Sequence, residues 1–113
     1  MEIGKEIVDE IVILRPKGNI LSGVDANMIH QMVHEELEMN RINFVLDMTD
    51  VSLINSSGIG ILIGALTAAK NQNGEIKLAS VTDKVAHILS MMRLDQVFKM
   101  YKSVPEAEQS FIS

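Results

Sequence analysis

Cysteine is absent from the 113 residues, so neither a disulfide framework nor a thiolate metal site belongs to this protein. Basic residues are few as well: ten Lys and Arg stand against fifteen Asp and Glu, a net charge of −5, and the ten are scattered. A nucleic-acid face needs clustered Lys and Arg to displace counterions, so the charge pattern argues against one. No HExxH, GxSxG or GxxxxGK[ST] occurs anywhere in the chain. Met1-Glu2-Ile3-Gly4-Lys5-Glu6 lacks an apolar signal region, and a cytoplasmic location is expected. Residues 51–69 carry no charge, yet Ser52, Asn55, Ser56, Ser57 and several glycines interrupt them, and the continuous apolar part, 58–66, is too short for a bilayer. No membrane insertion is expected.

The chain does have enough apolar residues for a core. At 47% hydrophobic content, 113 residues suffice for one core and are too few for two, so a single domain over 1–113 is expected. Residues 5–10 and 11–20 read as two strands with a tight connection, β-branched at Ile7, Val8, Ile11, Val12 and Ile13. Pro16 and Gly18 weaken the end of the second. Ser22-Gly23-Val24-Asp25 fits a capping box opening a helix near Gly23, with Ile29, Met32, Val33 and Leu37 inward and Asp25, His30, His34, Glu35 and Glu38 toward solvent. Phe44-Val45-Leu46 is a strand apolar on both faces, as in a parallel sheet. Asn71 to Gly74 end a helix, Ile76, Leu78, Ala79 and Val81 form a strand, and Thr82 caps a helix bearing Val85, Ile88, Leu89 and Met92. Residues 97–101 predict a last strand, and Ser103-Val104-Pro105-Glu106 a capping box for a terminal helix. The fold class is α/β: a mixed, mostly parallel sheet, antiparallel at its start, packed with about four helices.

Between the strand at 44–46 and the apolar run at 59–69 lies a polar bend, Asn55-Ser56-Ser57-Gly58. Three good N-cap side chains in a row predict a helix start there, with free first-turn N–H groups beside the serines. The dipole and those N–H groups favour an anion. One reading makes Ser56 and Ser57 simple caps; the other has one of them carry a phosphate, adding about −1.5 to −2 charges. Along the following helix Ile59, Leu62, Ile63 and Leu66 are expected on the sheet, while Gly60, Gly64 and Ala68, beside Ile61 and Ala65, form a stripe of small residues. That stripe either meets a neighbouring helix closely or presents a flat apolar docking face.

Leu46-Asp47-Met48-Thr49-Asp50-Val51 followed by Ile54-Asn55-Ser56-Ser57-Gly58-Ile59-Gly60 resembles the signature of the STAS domain, the family of bacterial anti-sigma-factor antagonists. The resemblance implies that Ser56 is the phosphorylated serine, with Ser57 second choice, and that Gly58 is the motif glycine. It further implies a partner surface of Asn55, Ser56, Ser57, Gly58, Ile59, Gly60, Ile61 and Gly64. The partners implied are an anti-sigma factor with an ATP-binding kinase fold and a Ser/Thr phosphatase. Asn55 and Leu21 stand where many members have Asp. A STAS scaffold without a phospho-switch, as a subunit of a stressosome-like or lipid-transport complex, is the alternative.

Other chemistry finds little support. His30 and His34, four apart with Glu38 a turn further, could grip a metal, but a His pair on a solvated helix face is usually only that, and no metal site is expected. Gly58, Gly60 and Gly64 miss the GxGxxG spacing by one residue, so no nucleotide cofactor is expected either. Asp47 sits near a strand end as a receiver phosphoacceptor would, without the acidic pair or Lys that role requires. His87 has no motif linking it to the serines, and no catalytic residue is assigned.

Overall fold

The computed structural model describes residues 1–21 and 23–112. Strand β1 (Glu2–Val8) turns straight back into β2 (Ile11–Lys17), and the register places Val8 opposite Ile11, leaving Asp9 and Glu10 as the whole turn. Their φ values, 50° and 68°, are those of a type I′ turn, whose twist matches an antiparallel pair. Side chains in this left-handed region cost about 1–2 kcal/mol per residue. Replacing Glu10 by Gly is therefore expected to stabilise the protein by about 1 kcal/mol, read as a rise of about 4 °C in Tm on thermal denaturation. The two strands differ from the expected 5–10 and 11–20: pairing of Glu2 with Lys17 draws the first residues into the ladder, and the second strand stops at Lys17. Beyond Leu14 that strand has lost its parallel neighbour, which is where Pro16 is tolerated.

The remaining elements are α1 (Gly23–Glu38), β3 (Asn43–Asp47), α2 (Ser56–Asn71), β4 (Glu75–Ala79), α3 (Asp83–Met91), β5 (Met100–Tyr101) and α4 (Val104–Ile112). The sheet order is β1-β2-β3-β4-β5, antiparallel at the first pair and parallel at the other three. Each parallel step moves one strand onward through one helix, so crossovers of one hand place α1, α2 and α3 on one face. Val12, Leu14, Phe44, Leu46, Ile76 and Leu78 meet those helices there. On the other face Ile11, Ile13, Val45 and Ala79 meet Ala107 of α4, with Val104 and Phe111 packed alongside. The unbroken apolar runs of β2 and β3 follow from cover on both sides.

Local chemistry explains the element ends. Thr82 caps α3 as expected, its Oγ1 accepting from Val85 N–H at 3.3 Å. Ser103 Oγ accepts from Glu106 N–H at 3.2 Å while the Glu106 carboxylate accepts from Lys102 N–H at 3.2 Å, a reciprocal cap one residue wider than a standard box. The expected cap at Ser22 lies outside the described residues. At the end of α2, Gly74 N–H donates to Ala69 O at 2.8 Å, and a Cβ on Gly74 would lie 1.9 Å from Ile42 O, so only glycine fits that backbone crossing. The expected strand over 97–101 shrinks to Met100–Tyr101. Arg93 turns left-handed (φ 59°), Leu94–Gln96 form a 3-10 turn, and the N–H groups of Val97 and Phe98 both donate to Leu94 O at 3.0 Å, which keeps them out of the ladder. Phe98 plugs the core instead. Val81 lies beyond β4, and Met92 follows α3 as an exposed cap residue.

Among the described residues two charged side chains, Glu36 and Lys77, are buried. Glu36 of α1 is 1% exposed and takes Lys5 Nζ on Oε1 at 2.9 Å and the Arg41 guanidinium on Oε2 at 2.8 Å. Burial alone would raise its pKa, but hydrogen bonds and charge from Lys5 and Arg41 outweigh burial and hold it below the ordinary 4.5. Lys77 of β4 extends its Nζ over the ring of Phe111 at 4.0 Å and that of Tyr101 at 5.5 Å, and donates to Ser110 Oγ at 2.7 Å. The Phe111 ring and the Ser110 hydroxyl thus tie this ammonium to α4, and the Tyr101 ring ties it to β5.

Candidate functional site

The bend between β3 and α2 is held from below by three apolar anchors, Met48, Val51 and Ile54, all buried. At its start Asp47 Oδ1 accepts from Thr49 N–H at 3.2 Å and from Thr49 Oγ1 at 2.5 Å, and Oδ2 lies 3.4 Å from Arg15 Nε. Asp47 is thereby committed to closing the turn. Asn55 then adopts extended geometry (φ −102°, ψ 173°), and its Oδ1 accepts from Gly58 N–H at 2.9 Å. Of the three consecutive candidates, Asn55 is the N-cap, so the reading of Ser56 and Ser57 as simple caps does not hold. Ser56 and Ser57 are the first two residues of α2, both exposed. Neither hydroxyl has a hydrogen-bond partner among the described residues, because the capping role is already filled. Two free hydroxyls therefore stand at the positive end of a 16-residue helix.

Gly58 is required by close approach. A Cβ there would sit 2.8 Å from Ile20 Cγ2 and 3.2 Å from Ile20 O. Gly58 and Ile59 are both buried, so within the expected surface they hold the helix start while their neighbours face out. Gly60 and Gly64 are exposed: nothing would meet a Cβ on Gly60 within 4 Å, and one on Gly64 would lie 3.9 Å from the His30 ring. Ile61 is half-buried beside the start of α1, its Cδ1 3.6 Å from a Cβ on Gly23. The small-residue stripe is narrower than expected. Ala65 is 1% exposed and belongs to the core, since a helix face carrying Leu62 and Leu66 inward takes Ala65 with it. Ala68 and Ile63 are half-buried.

Further exposed apolar residues lie at Leu21, whose carbonyl oxygen meets Asn55, and along α1. Leu21, Val24 and Met28 are 47%, 72% and 38% exposed. Val24 and Met28 lie four apart on α1, and that spacing on the outer face is the signal available in the sequence, whereas Leu21 precedes the helix. His30 and His34 stack with ring centroids 6.1 Å apart and planes at 15°. Among the described residues no group of three His, Cys, Asp or Glu side chains could hold a metal ion, so Glu38 does not complete a triad with them. His87 is exposed on α3. A concavity of about 380 Å³ lies between Ser80, Val81, Ala86, Met100, Tyr101 and Lys102, and no residue of the bend lines it. Among the described residues no helix is long and apolar enough to cross a membrane; the charge-free run at 51–69 contains the bend, and its helix begins only at Ser56.

Comparison with known proteins matches residues 2–107 to the STAS domain family model. A protein of Thermotoga maritima bearing the name anti-sigma factor antagonist is 31% identical over 103 residues, covering 90% of each chain. The crystal structure of a Thermotoga maritima protein that bears the same name, 28% identical, superposes with a TM-score of 0.87 over 96% of this chain and 92% of that one. SpoIIAA in its unphosphorylated form superposes with a TM-score of 0.73 over 98% of this chain and 97% of that one, and at 17% identity it speaks for the fold alone.

Proposed function

Given that this chain belongs to the STAS domain family, we propose that it is an anti-sigma-factor antagonist controlled by partner switching, with Ser56 as the phosphoacceptor. In this reading the unmodified protein binds an anti-sigma factor with an ATP-binding kinase fold and frees a sigma factor for transcription. That kinase phosphorylates Ser56 and binding is lost; a Ser/Thr phosphatase restores it. The protein acts by binding and carries out no chemistry of its own, in keeping with serines that have no base as a hydrogen-bond partner among the described residues. The docking surface consists of Asn55, Ser56, Ser57, Gly60, Ile61 and Gly64, held in place by Gly58 and Ile59.

The observation that carries the proposal is an exposed hydroxyl, without a partner among the described residues, on the first residue of α2, next to the exposed Gly60 and Gly64 and the half-buried Ile61. A kinase reaches such a hydroxyl without unfolding anything, and the helix start accommodates the added charge. A complex closed over the same strip does not, since the dianion would be desolvated without a counter-charge. The test is capture from cells of the source organism with wild-type and Ser56→Glu baits, with the captured proteins identified by mass spectrometry. An ATP-binding kinase held by wild type alone supports the proposal. Equal capture by both baits, or capture of transporter subunits, moves the function to a scaffold.

A further inference from the structure

The bend that presents Ser56 is clamped by a segment more than thirty residues earlier. Three backbone bonds join them: Gly18 N–H to Asp50 O at 3.2 Å, Ile20 N–H to Leu53 O at 3.0 Å and Asn55 N–H to Ile20 O at 3.1 Å. Ile20 and Ile54 form an isolated parallel bridge at the same place. Two asparagines complete the clamp, one through its amide oxygen alone and the other through both ends of the amide. Asn19 Oδ1 accepts three hydrogen bonds, from Ser52 N–H at 3.1 Å, Ser52 Oγ at 2.8 Å and Leu53 N–H at 3.1 Å. Asn55 accepts from Gly58 N–H through Oδ1 and donates through Nδ2 to Leu21 O at 2.6 Å.

The chemistry of the two positions therefore differs. Two of the three groups facing Asn19 are backbone N–H donors that cannot accept, so the side chain there must offer an acceptor, and a carboxylate would serve as well as a carboxamide. At position 55 a carboxylate would keep the cap on Gly58 but face Leu21 O with no proton to give. Without an acceptor at position 19, the N–H groups of Ser52 and Leu53 lose their partner on the clamp, and the bend loosens just ahead of Asn55 and Ser56.

We propose that Asn19 is a positioning residue for Ser56, acting only through its acceptor oxygen to lock the bend against segment 18–21. The proposal rests on the reading of Ser56 as phosphoacceptor, because a kinase transferring phosphate in line needs the hydroxyl held in one place.

Amide hydrogen exchange of the free protein tests it without any partner. Asn19→Ala is expected to speed exchange about tenfold at Leu53 and Asn55, the loss of a few exposed hydrogen bonds, while Val45 in the central strand keeps its rate. Asn19→Asp is expected to restore wild-type rates at both amides. Asn55→Asp is expected to speed Ile20 while Gly58 stays protected, so acid rescues one position and not the other. An equal acceleration at Leu53 and Val45 would mean global destabilisation and overturn the proposal, as would unchanged rates in Asn19→Ala or a failure of Asn19→Asp to restore them. With the ATP-binding kinase that the wild-type bait captures, Asn19→Ala is expected to lower the rate of Ser56 phosphorylation about tenfold, and Asn19→Asp to recover it. If wild type takes no phosphate at Ser56, the switch reading and the positioning of a phosphoacceptor fall together, whereas exchange still decides whether Asn19 locks the bend.

Discussion

Ser56→Glu is expected to weaken binding to the anti-sigma partner by about 10- to 100-fold, equivalent to about 1.4–2.8 kcal/mol, while the thermal stability of the free protein stays level or rises slightly. The two halves of this expectation have separate causes. Ser56 is the first residue of α2, where a carboxylate is favoured by the dipole and by N–H groups without helical acceptors, worth about 0.3–1 kcal/mol at an exposed site. The same carboxylate in a complex loses water beside Gly60 and Ile61, neither of which can compensate it. Glu carries one charge where phosphoserine carries nearly two, so the modified protein should bind more weakly still. Ser57→Glu, one residue further along the helix, serves as the comparison. Calorimetric titration with the purified partner and a thermal melt of each variant decide the matter, and a Ser56→Glu protein that binds like wild type would sink the switch.

The second large effect concerns stability and lies away from the bend. Glu36→Gln is expected to destabilise the protein by about 2 kcal/mol near neutral pH. Breaking a fully buried ion pair costs about 3–5 kcal/mol, but the side chains of Lys5 and Arg41 are 44% and 24% exposed and can turn to water, which lowers the figure. The pH dependence follows from the sign of the pKa change. Because Lys5 and Arg41 outweigh burial, the folded protein holds this carboxyl below the ordinary 4.5, so it binds fewer protons than the unfolded chain in mild acid. Its contribution is complete above the unfolded pKa and is lost as pH falls through the folded value. Urea denaturation of wild type and Glu36→Gln should therefore show the full gap at about pH 7 and a much smaller one at about pH 3. A gap of the same size at both would mean that the charge is not what stabilises.

Elements whose pattern is carried by neighbouring residues were legible. The apolar runs of β2 and β3, the caps at Thr82 and Ser103, and the helix start at 55–58 all depend on side chains within four positions of one another. Boundaries set by pairing were less so. Residues 97–101 have strand-forming side chains, yet a left-handed Arg93 sends the N–H groups of Val97 and Phe98 to Leu94 and leaves two residues for the ladder. Among the candidate site residues the serine pair stood out, while the role of each did not. Asn55, Ser56 and Ser57 have similar capping propensities, and the closeness of Leu21 O favours the one side chain of the three that carries its donor and its acceptor on separate atoms.

What the sequence by itself determined is the order of the elements, the parallel character of the sheet and the place where α2 begins, because hydrophobic period and capping chemistry act over a turn or two of chain. The outward face of that start, the burial of Ala65, the ion cluster around Glu36 and the clamp from Asn19 were decided only in the tertiary structure. Each depends on groups brought together across the fold: Lys5 reaches Glu36 over 31 positions, and Asn19 reaches Ser52 over 33. Hydrogen bonds and ion pairs are short-ranged and carry no period, so nothing in the order of residues announces which distant partner will be within 3 Å.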